Sequence, residues 1–305
     1  MFRFLRRNNP SQKARNRRRP AAALSGTALV LLGFLMLLWI ALVQTTTGEI
    51  TGTLQVHFLD VGQADAIVIQ TPEGQTMLVD GGNAGDAKYI IDYLKKLGVE
   101  RIDHLVATHP HEDHIGGLRR VVETFPIGKV YMPRVVHTTA TYENLLLAIA
   151  EKNLRITPAR AGLVIEVDPE LEVEFLAPVG EDYRSLNDYS AVLLLTHGEV
   201  RFLLTGDAET TSESEMLASG RPLQADVLKV AHHGSNSSTS PSFLEAVRPR
   251  HAVISVGAGN RYNHPSELIL QRLAQAGVRI WRTDQHGTIV ATSDGATVTV
   301  KAEKN

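Results

Sequence analysis

The run Thr108-His109-Pro110-His111-Glu112-Asp113-His114 constrains this chain more than any other stretch. Four potential metal ligands fall within it, spaced His-x-His-x-Asp-His. In an extended loop, residues two apart point the same way, so His109 and His111 can share one cation. Asp113 and His114 are adjacent and diverge, which suits a second cation. Two neighbouring cations that activate water define a two-metal hydrolase. Such a loop has to be carried on a rigid scaffold, at the end of a strand.

The 305 residues suffice for one large domain or two small ones. There is no cysteine, which excludes disulfides, cysteine-rich zinc sites and a thiol nucleophile. Charge is distributed unevenly. Eight of the 31 Lys and Arg residues lie in the first 20 positions, and no acid precedes Glu49. The remainder therefore holds 23 bases against 33 acids, a net of −10. An overall acidic body lacks the basic footprint of a nucleic-acid-binding domain.

Residues 21–43 form 23 consecutive positions without a charge. As a helix rising 1.5 Å per residue they would cross a hydrocarbon core of about 30 Å. Trp39 suits an interfacial anchor, and the Arg-rich flank would stay cytoplasmic. A cleaved signal peptide is the rival reading, but no Ala-x-Ala pattern follows Val43. The expected organisation is a basic cytoplasmic N-terminus at 1–20, a transmembrane signal anchor at 21–43, a linker at 44–52 and a globular domain at 53–305. That places the globular domain outside the cytoplasm on a single-pass cell-membrane protein.

From Thr53 onward, strands and helices alternate, with hairpins mixed in. Strands are expected at 54–59, 66–70, 76–79, 104–107, 129–132, 171–176, 191–196, 200–204, 226–231 and 252–256, with three more closing the chain. Helical spacing appears at 88–97, 115–125, 142–152, 209–219 and 267–276. This alternation argues for sheets packed between helices. Each candidate ligand follows a strand. Asp80 ends one, Asp207 follows Leu204-Thr205-Gly206, and His232-His233 follow the apolar run 226–231. Alone, Asp207 reads first as an N-cap for the helix from Glu209. Only one of two adjacent imidazoles, His232 or His233, would ordinarily face a metal. His264, before Pro265, can bind substrate, donate a proton to a leaving group, or simply flank a helix. His57, His104, His137, His197 and His251 sit in strand or loop patterns that carry no chemistry.

The ordered motifs are Leu59-Asp60-Val61-Gly62-Gln63-Ala64-Asp65, Val79-Asp80-Gly81-Gly82, the His loop through Ile115-Gly116-Gly117, Asn187-Asp188-Tyr189-Ser190, Leu204-Thr205-Gly206-Asp207, His232-His233-Gly234-Ser235 and Asn263-His264-Pro265. Through them, residues 53–301 resemble metallo-β-lactamase-fold hydrolases, and more closely the C-terminal hydrolase domain of the ComEC competence family. The resemblance implies an α/β (α+β) fold, a four-layer αββα sandwich with the metals at one edge of both sheets, here preceded by one transmembrane helix. It implies two divalent ions, Zn or Mn. His109 and His111 would bind the first, Asp113, His114 and His233 the second, and Asp207 would bridge them. Asp113 and His264 would be catalytic. Asp80 would orient the ligand loop, while His232, Asn187 and Ser190 would support the site or replace a ligand. Many members of the wider superfamily carry a further His between the His loop and the bridging acid. This chain offers Asn187–Ser190 there instead, which leaves the first ion a ligand short.

The function that follows is an extracytoplasmic phosphodiesterase or DNA nuclease related to competence. Its substrate would be a phosphodiester such as DNA, with a separate channel protein as partner, since one spanning segment makes no DNA pore. A phosphorylcholine-esterase-like cell-envelope hydrolase is the enzymatic alternative. A non-catalytic metal-binding partner of a DNA-uptake channel is the alternative of a different class.

Overall fold

The computed structural model describes residues 52–304. Two mixed sheets pack face to face. From edge to edge the first contains Val298–Ala302, Ile289–Ser293, Leu54–Phe58, Ile67–Gln70, Thr76–Val79, Ile102–Val106, Ile127–Met132 and Ile156–Pro158. The second contains Arg279–Arg282, His251–Ile254, Val227–Lys229, Val200–Leu204, Val192–His197, Leu171–Ala177 and Val164–Asp168.

Period-2 side-chain alternation builds three apolar layers from these strands. Val56, Phe58, Ile67, Ile69, Met77 and Val79 face inward and meet Phe175, Leu193, Leu195 and Phe202 of the other sheet. The intervening residues face outward. Val68, Leu78 and Leu105 pack under Ile90, Leu94, Val121 and Leu145, which come from helices Ala87–Lys96, Leu118–Thr124 and Ala140–Glu151. On the far side, Val192, Leu203 and Leu228 pack under Met216, Phe243 and Leu273 of helices Thr210–Ala218, Pro241–Val247 and Glu267–Gln275. Strands buried on both faces explain why so many of them read as unbroken apolar runs.

The pairing within each sheet decides where function can sit. Thr76–Val79, Ile102–Val106 and Ile127–Met132 run parallel, as do Val200–Leu204, Val227–Lys229 and His251–Ile254. Parallel strands end at the same edge, so the loops that leave them converge there. The two sheets are also joined at this edge, where the Ala191 N–H donates to the Thr108 carbonyl at 2.9 Å.

Several elements differ from the sequence expectation. The helix expected over 115–125 is two pieces, Glu112–Ile115 and Leu118–Thr124, separated by Gly116-Gly117. The strand expected over 226–231 is only Val227–Lys229 and then turns sharply. Strands Ile156–Pro158 and Val164–Asp168 are additional; both lie at sheet edges, partly exposed, where the apolar signal is weak. The expected membrane segment at 21–43, the basic N-terminus and nearly all of the linker lie outside the described residues. Among the described residues no helix is long and apolar enough to cross a membrane.

Glycines at 81 and 117 let two loops meet backbone to backbone. Gly81 N–H donates to the His114 carbonyl at 2.6 Å, and Gly117 N–H to the Gly82 carbonyl at 3.2 Å. A Cβ on Gly117 would fall 2.2 Å from the Gly81 carbonyl oxygen, closer than any real contact. Gly117→Ala is therefore expected to cost at least about 2 kcal/mol through forced backbone movement. A urea midpoint equal to wild type would show that this junction yields freely.

Candidate metal centre

Asp80 organises the His loop from beneath. It follows strand Thr76–Val79 with a left-handed backbone (φ 60°), which turns its carboxylate inward. The Thr108 N–H donates to Oδ1 at 2.8 Å and the Thr108 hydroxyl to Oδ2 at 2.7 Å. His114 Nδ1 lies 2.7 Å from the same Oδ2. That bond fixes the His114 ring and aims Nε2 at the opposite loop, 3.3 Å from Asp207 Oδ2. A carboxylate holding the far nitrogen of an imidazole is the usual support of a metal-ligating histidine.

Asp207 is the hub. It is buried, and its backbone N–H donates to Ser190 Oγ at 3.0 Å. Its Oδ2 lies 3.7 Å from His233 Nε2, 3.9 Å from His232 Nε2 and 4.0 Å from His109 Nε2. Its Oδ1 is buried without a hydrogen-bond partner, and so is His114 Nε2. Ligand atoms of Asp113, His114, Asp207 and His233 all lie within 4.8 Å of one another. Buried charged oxygens without hydrogen bonds are costly unless a cation meets them, so this donor set fits a divalent ion. His233 is held from behind by the Ser255 carbonyl, 2.9 Å from Nδ1, and its Nε2 lies 3.3 Å from Asp113 Oδ2.

The other pair is less complete. His109 Nε2 and His111 Nδ1 stand 3.0 Å apart, with Asp207 as their nearby acid. His109 Nδ1 lies 3.3 Å from Ser190 Oγ and 3.2 Å from Thr108 Oγ1. Asn187 approaches His232 through Nδ2 at 3.4 Å, while its Oδ1 is buried without a partner. His232 and His233 both lie close to Asp207, although adjacent side chains ordinarily diverge. Their backbones are both left-handed, φ 49° and 53°, a disfavoured conformation that coils the turn tightly enough to bring both rings in. His264 stands further out, its ring 5.6 Å from that of His232. Together with His111, Asp113, His232, His233 and Tyr262 it lines an open cavity of about 300 Å³ over Asp207.

Electrostatics divide the histidines. Burial holds His109 well below its ordinary value, and the neighbouring His114 adds to this. Burial would lower His114 too, yet the charges of Asp207 and Asp80 hold it well above. His233 is raised in the same way, against burial, by Asp207 and Asp113. Asp207 is held well below the carboxylate range, against burial, by His114 and His233. Protons on His114 and His233 thus balance Asp207, and a cation entering there has to displace them.

Two supporting residues carried no signal that the sequence reading used. Lys229 is wholly buried; its ammonium pairs with Asp65 and donates to the Gly206 carbonyl at 3.1 Å. Asp65 in turn lies 3.6 Å from His233 Nδ1 and 3.9 Å from His114 Nδ1. A lone Lys inside Val227-Leu228-Lys229-Val230-Ala231 was the available clue. Glu209, read as a helix start, lies 3.2 Å from His232 Nδ1, and this bond draws its carboxyl down to about 2. The histidines set aside lie elsewhere, His57 against Tyr93, His104 against Tyr131 and His251 against Trp281.

The model of the metallo-beta-lactamase superfamily matches residues 59–258, and the chain belongs to that superfamily. It is 32% identical over 252 residues to ComE operon protein 3 of Bacillus subtilis, across 77% of this chain and 32% of that protein. It is also 32% identical over 231 residues to Competence protein ComA of Neisseria gonorrhoeae, across 75% of this chain and 31% of that one. The chain thus spans about a third of the length of these relatives. Among solved structures, CmlA, a diiron β-hydroxylase from Streptomyces venezuelae, superposes with a TM-score of 0.52 at 18% identity, covering 87% of this chain and 59% of that one. At that identity the likeness is one of fold.

Proposed function

We propose that this chain is a membrane-anchored, metal-dependent hydrolase that cleaves phosphodiester bonds, with extracytoplasmic DNA as its substrate. The buried Asp207 carboxylate carries the reading, because one of its oxygens has no hydrogen-bond partner and the other is ringed by imidazoles from separate loops. The relation to two competence proteins supports DNA as the substrate class. The uncharged run at 21–43 behind an Arg-rich flank supports anchoring with the hydrolase domain outside. A separate channel protein would then be the partner that takes up the strand.

Asp207 would bridge two cation positions, with His109 and His111 on one side and Asp113, His114 and His233 on the other. Zinc or manganese bound there supplies a lowered water pKa and positive charge against the phosphoryl oxygens. The chain's own part is to hold the donors still, through Asp80 on His114 and the Ser255 carbonyl on His233. His264 lines the cavity, where it would donate a proton to a leaving oxygen. Burial, with His232 and His233 nearby, lowers it to about 4. An anionic phosphate in the cavity would favour its protonated form and ready it to donate. The acidic body implies weak, transient contact with DNA rather than tight, salt-sensitive binding.

The test is to load the purified full-length chain with Zn²⁺ or Mn²⁺ and assay bis(p-nitrophenyl) phosphate, DNA, a choline-phosphate ester and a β-lactam in parallel. Turnover of the diester and DNA is expected. It should fall at least about 100-fold in His109→Ala and Asp113→Ala. Bound ions without turnover of any ester would instead support a binding role. Turnover of the choline ester alone would move the substrate to the cell envelope.

A further inference from the structure

We infer that His232, positioned by Glu209, is the third histidine donor to the cation position begun by His109 and His111 and shared with Asp207. This rests on the reading of Asp207 as a cation-bridging carboxylate and adds to it a residue and a support.

The first position otherwise lacks a donor. Two histidines lie between the His loop and Asp207 in sequence, and neither lies at the site. His137 is hydrogen-bonded to Thr139 in an exposed stretch, and His197 is buried against Ser293. His232 lines the same cavity as His111 and Asp207. Its Nε2 is 3.9 Å from Asp207 Oδ2, the same range as His109 at 4.0 Å and His233 at 3.7 Å. Its other nitrogen is engaged from behind. Nδ1 lies 3.2 Å from Glu209 Oε1 and 3.1 Å from Ser237 Oγ. With the Nδ1–H given to Glu209, the Nε2 lone pair is left facing Asp207, which is the tautomer a ligand needs. This repeats the carboxylate–imidazole arrangement of Asp80 and His114.

The backbone agrees. His232 is held at φ 49°, ψ 46°, with its N–H on the Gly206 carbonyl at 3.2 Å. A non-glycine residue in this region persists where the surroundings require it. Here the turn brings in a second ring beside His233. Glu209 turns its carboxylate to His232, with Ser237, Ser185 and Asn187 also hydrogen-bonded to it. It is the N-cap residue of helix Thr210–Ala218, yet its side chain makes no capping bond.

The experiment is calorimetric titration of the metal-free full-length chain with Mn²⁺, with electron paramagnetic resonance of the loaded protein. Wild type, His232→Ala, Glu209→Ala, Glu209→Gln and, as control, His264→Ala are compared. Wild type should take up two ions and give the spectrum of a coupled pair. His232→Ala should keep one ion at wild-type affinity and weaken the other at least about 10-fold, leaving the signal of isolated Mn²⁺ at sub-saturating metal. Glu209→Ala should weaken the same ion about 10–100-fold, and Glu209→Gln less, with unchanged unfolding midpoints. His264→Ala should bind as wild type does. Two ions at wild-type affinity in both His232→Ala and Glu209→Ala would overturn the inference, even if turnover fell. Should His232→Ala fail to fold, the Glu209 variants decide alone. A wild-type chain that binds no ion would instead remove the cation site itself.

Discussion

Lys229→Met is expected to lose about 3–5 kcal/mol of folding stability, the cost of stranding one member of a buried ion pair. The ammonium sits at 0% exposure, against the Asp65 carboxylate and the Gly206 carbonyl. Methionine fills much the same volume, so packing changes little. What remains is a charged Asp65 whose nearest positive groups, the His233 and His114 rings at 3.6 and 3.9 Å, are already engaged by Asp207. Two loops also come loose, because Gly206 precedes the hub Asp207 and Asp65 accepts the Gly82 N–H through its carbonyl at 2.8 Å. Urea unfolding would read the loss as a lowered midpoint at constant slope. Removing both charges in Lys229→Met/Asp65→Leu should recover much of it, since no unpaired charge is then buried. A single variant within about 1 kcal/mol of wild type would mean that water or rearrangement neutralises Asp65, contrary to the burial seen here.

Asp207→Asn should lower turnover at least about 1000-fold while leaving the fold intact. The amide preserves shape, and the backbone bond from residue 207 to Ser190 Oγ is untouched. What disappears is the negative charge. Without it, His114 and His233 lose their shared counter-charge, and neither of the proposed cation positions would keep a bridging oxygen. Metal content should fall along with activity, measured on the same preparation. Substantial turnover with full metal content in Asp207→Asn would place the bridging role on another carboxylate, with Asp65 or Asp113 the nearest candidates.

Much of the candidate site was legible because its chemistry is concentrated in short motifs. His-x-His-x-Asp-His declares ligands by residue type and spacing, and Asp80, Asp207 and His233 each follow a recognisable strand. The supports were harder to see. Glu209 reads as an ordinary helix start, and only its distance from His232 sets it apart. Lys229 was one charge within an apolar strand. The paired rings of His232 and His233 depend on two left-handed residues in succession, which side-chain pattern does not encode. The break at Gly116-Gly117 was hidden inside apolar spacing that continues across it, because contact with the Gly81 loop governs that junction.

Taken alone, the order of residues determined the layered α/β class, the acidic body behind a basic, apolar N-terminal stretch, and the identity of most candidate ligands. Those follow from local properties: periodicity, charge and donor type. Tertiary structure decided which candidate ligands cluster, which rings are locked from behind, and that Lys229 and Glu209 belong to the site at all. Such relations exist only where parallel strands from two sheets end at one edge. There, loops more than a hundred residues apart come within 4 Å of a single carboxylate.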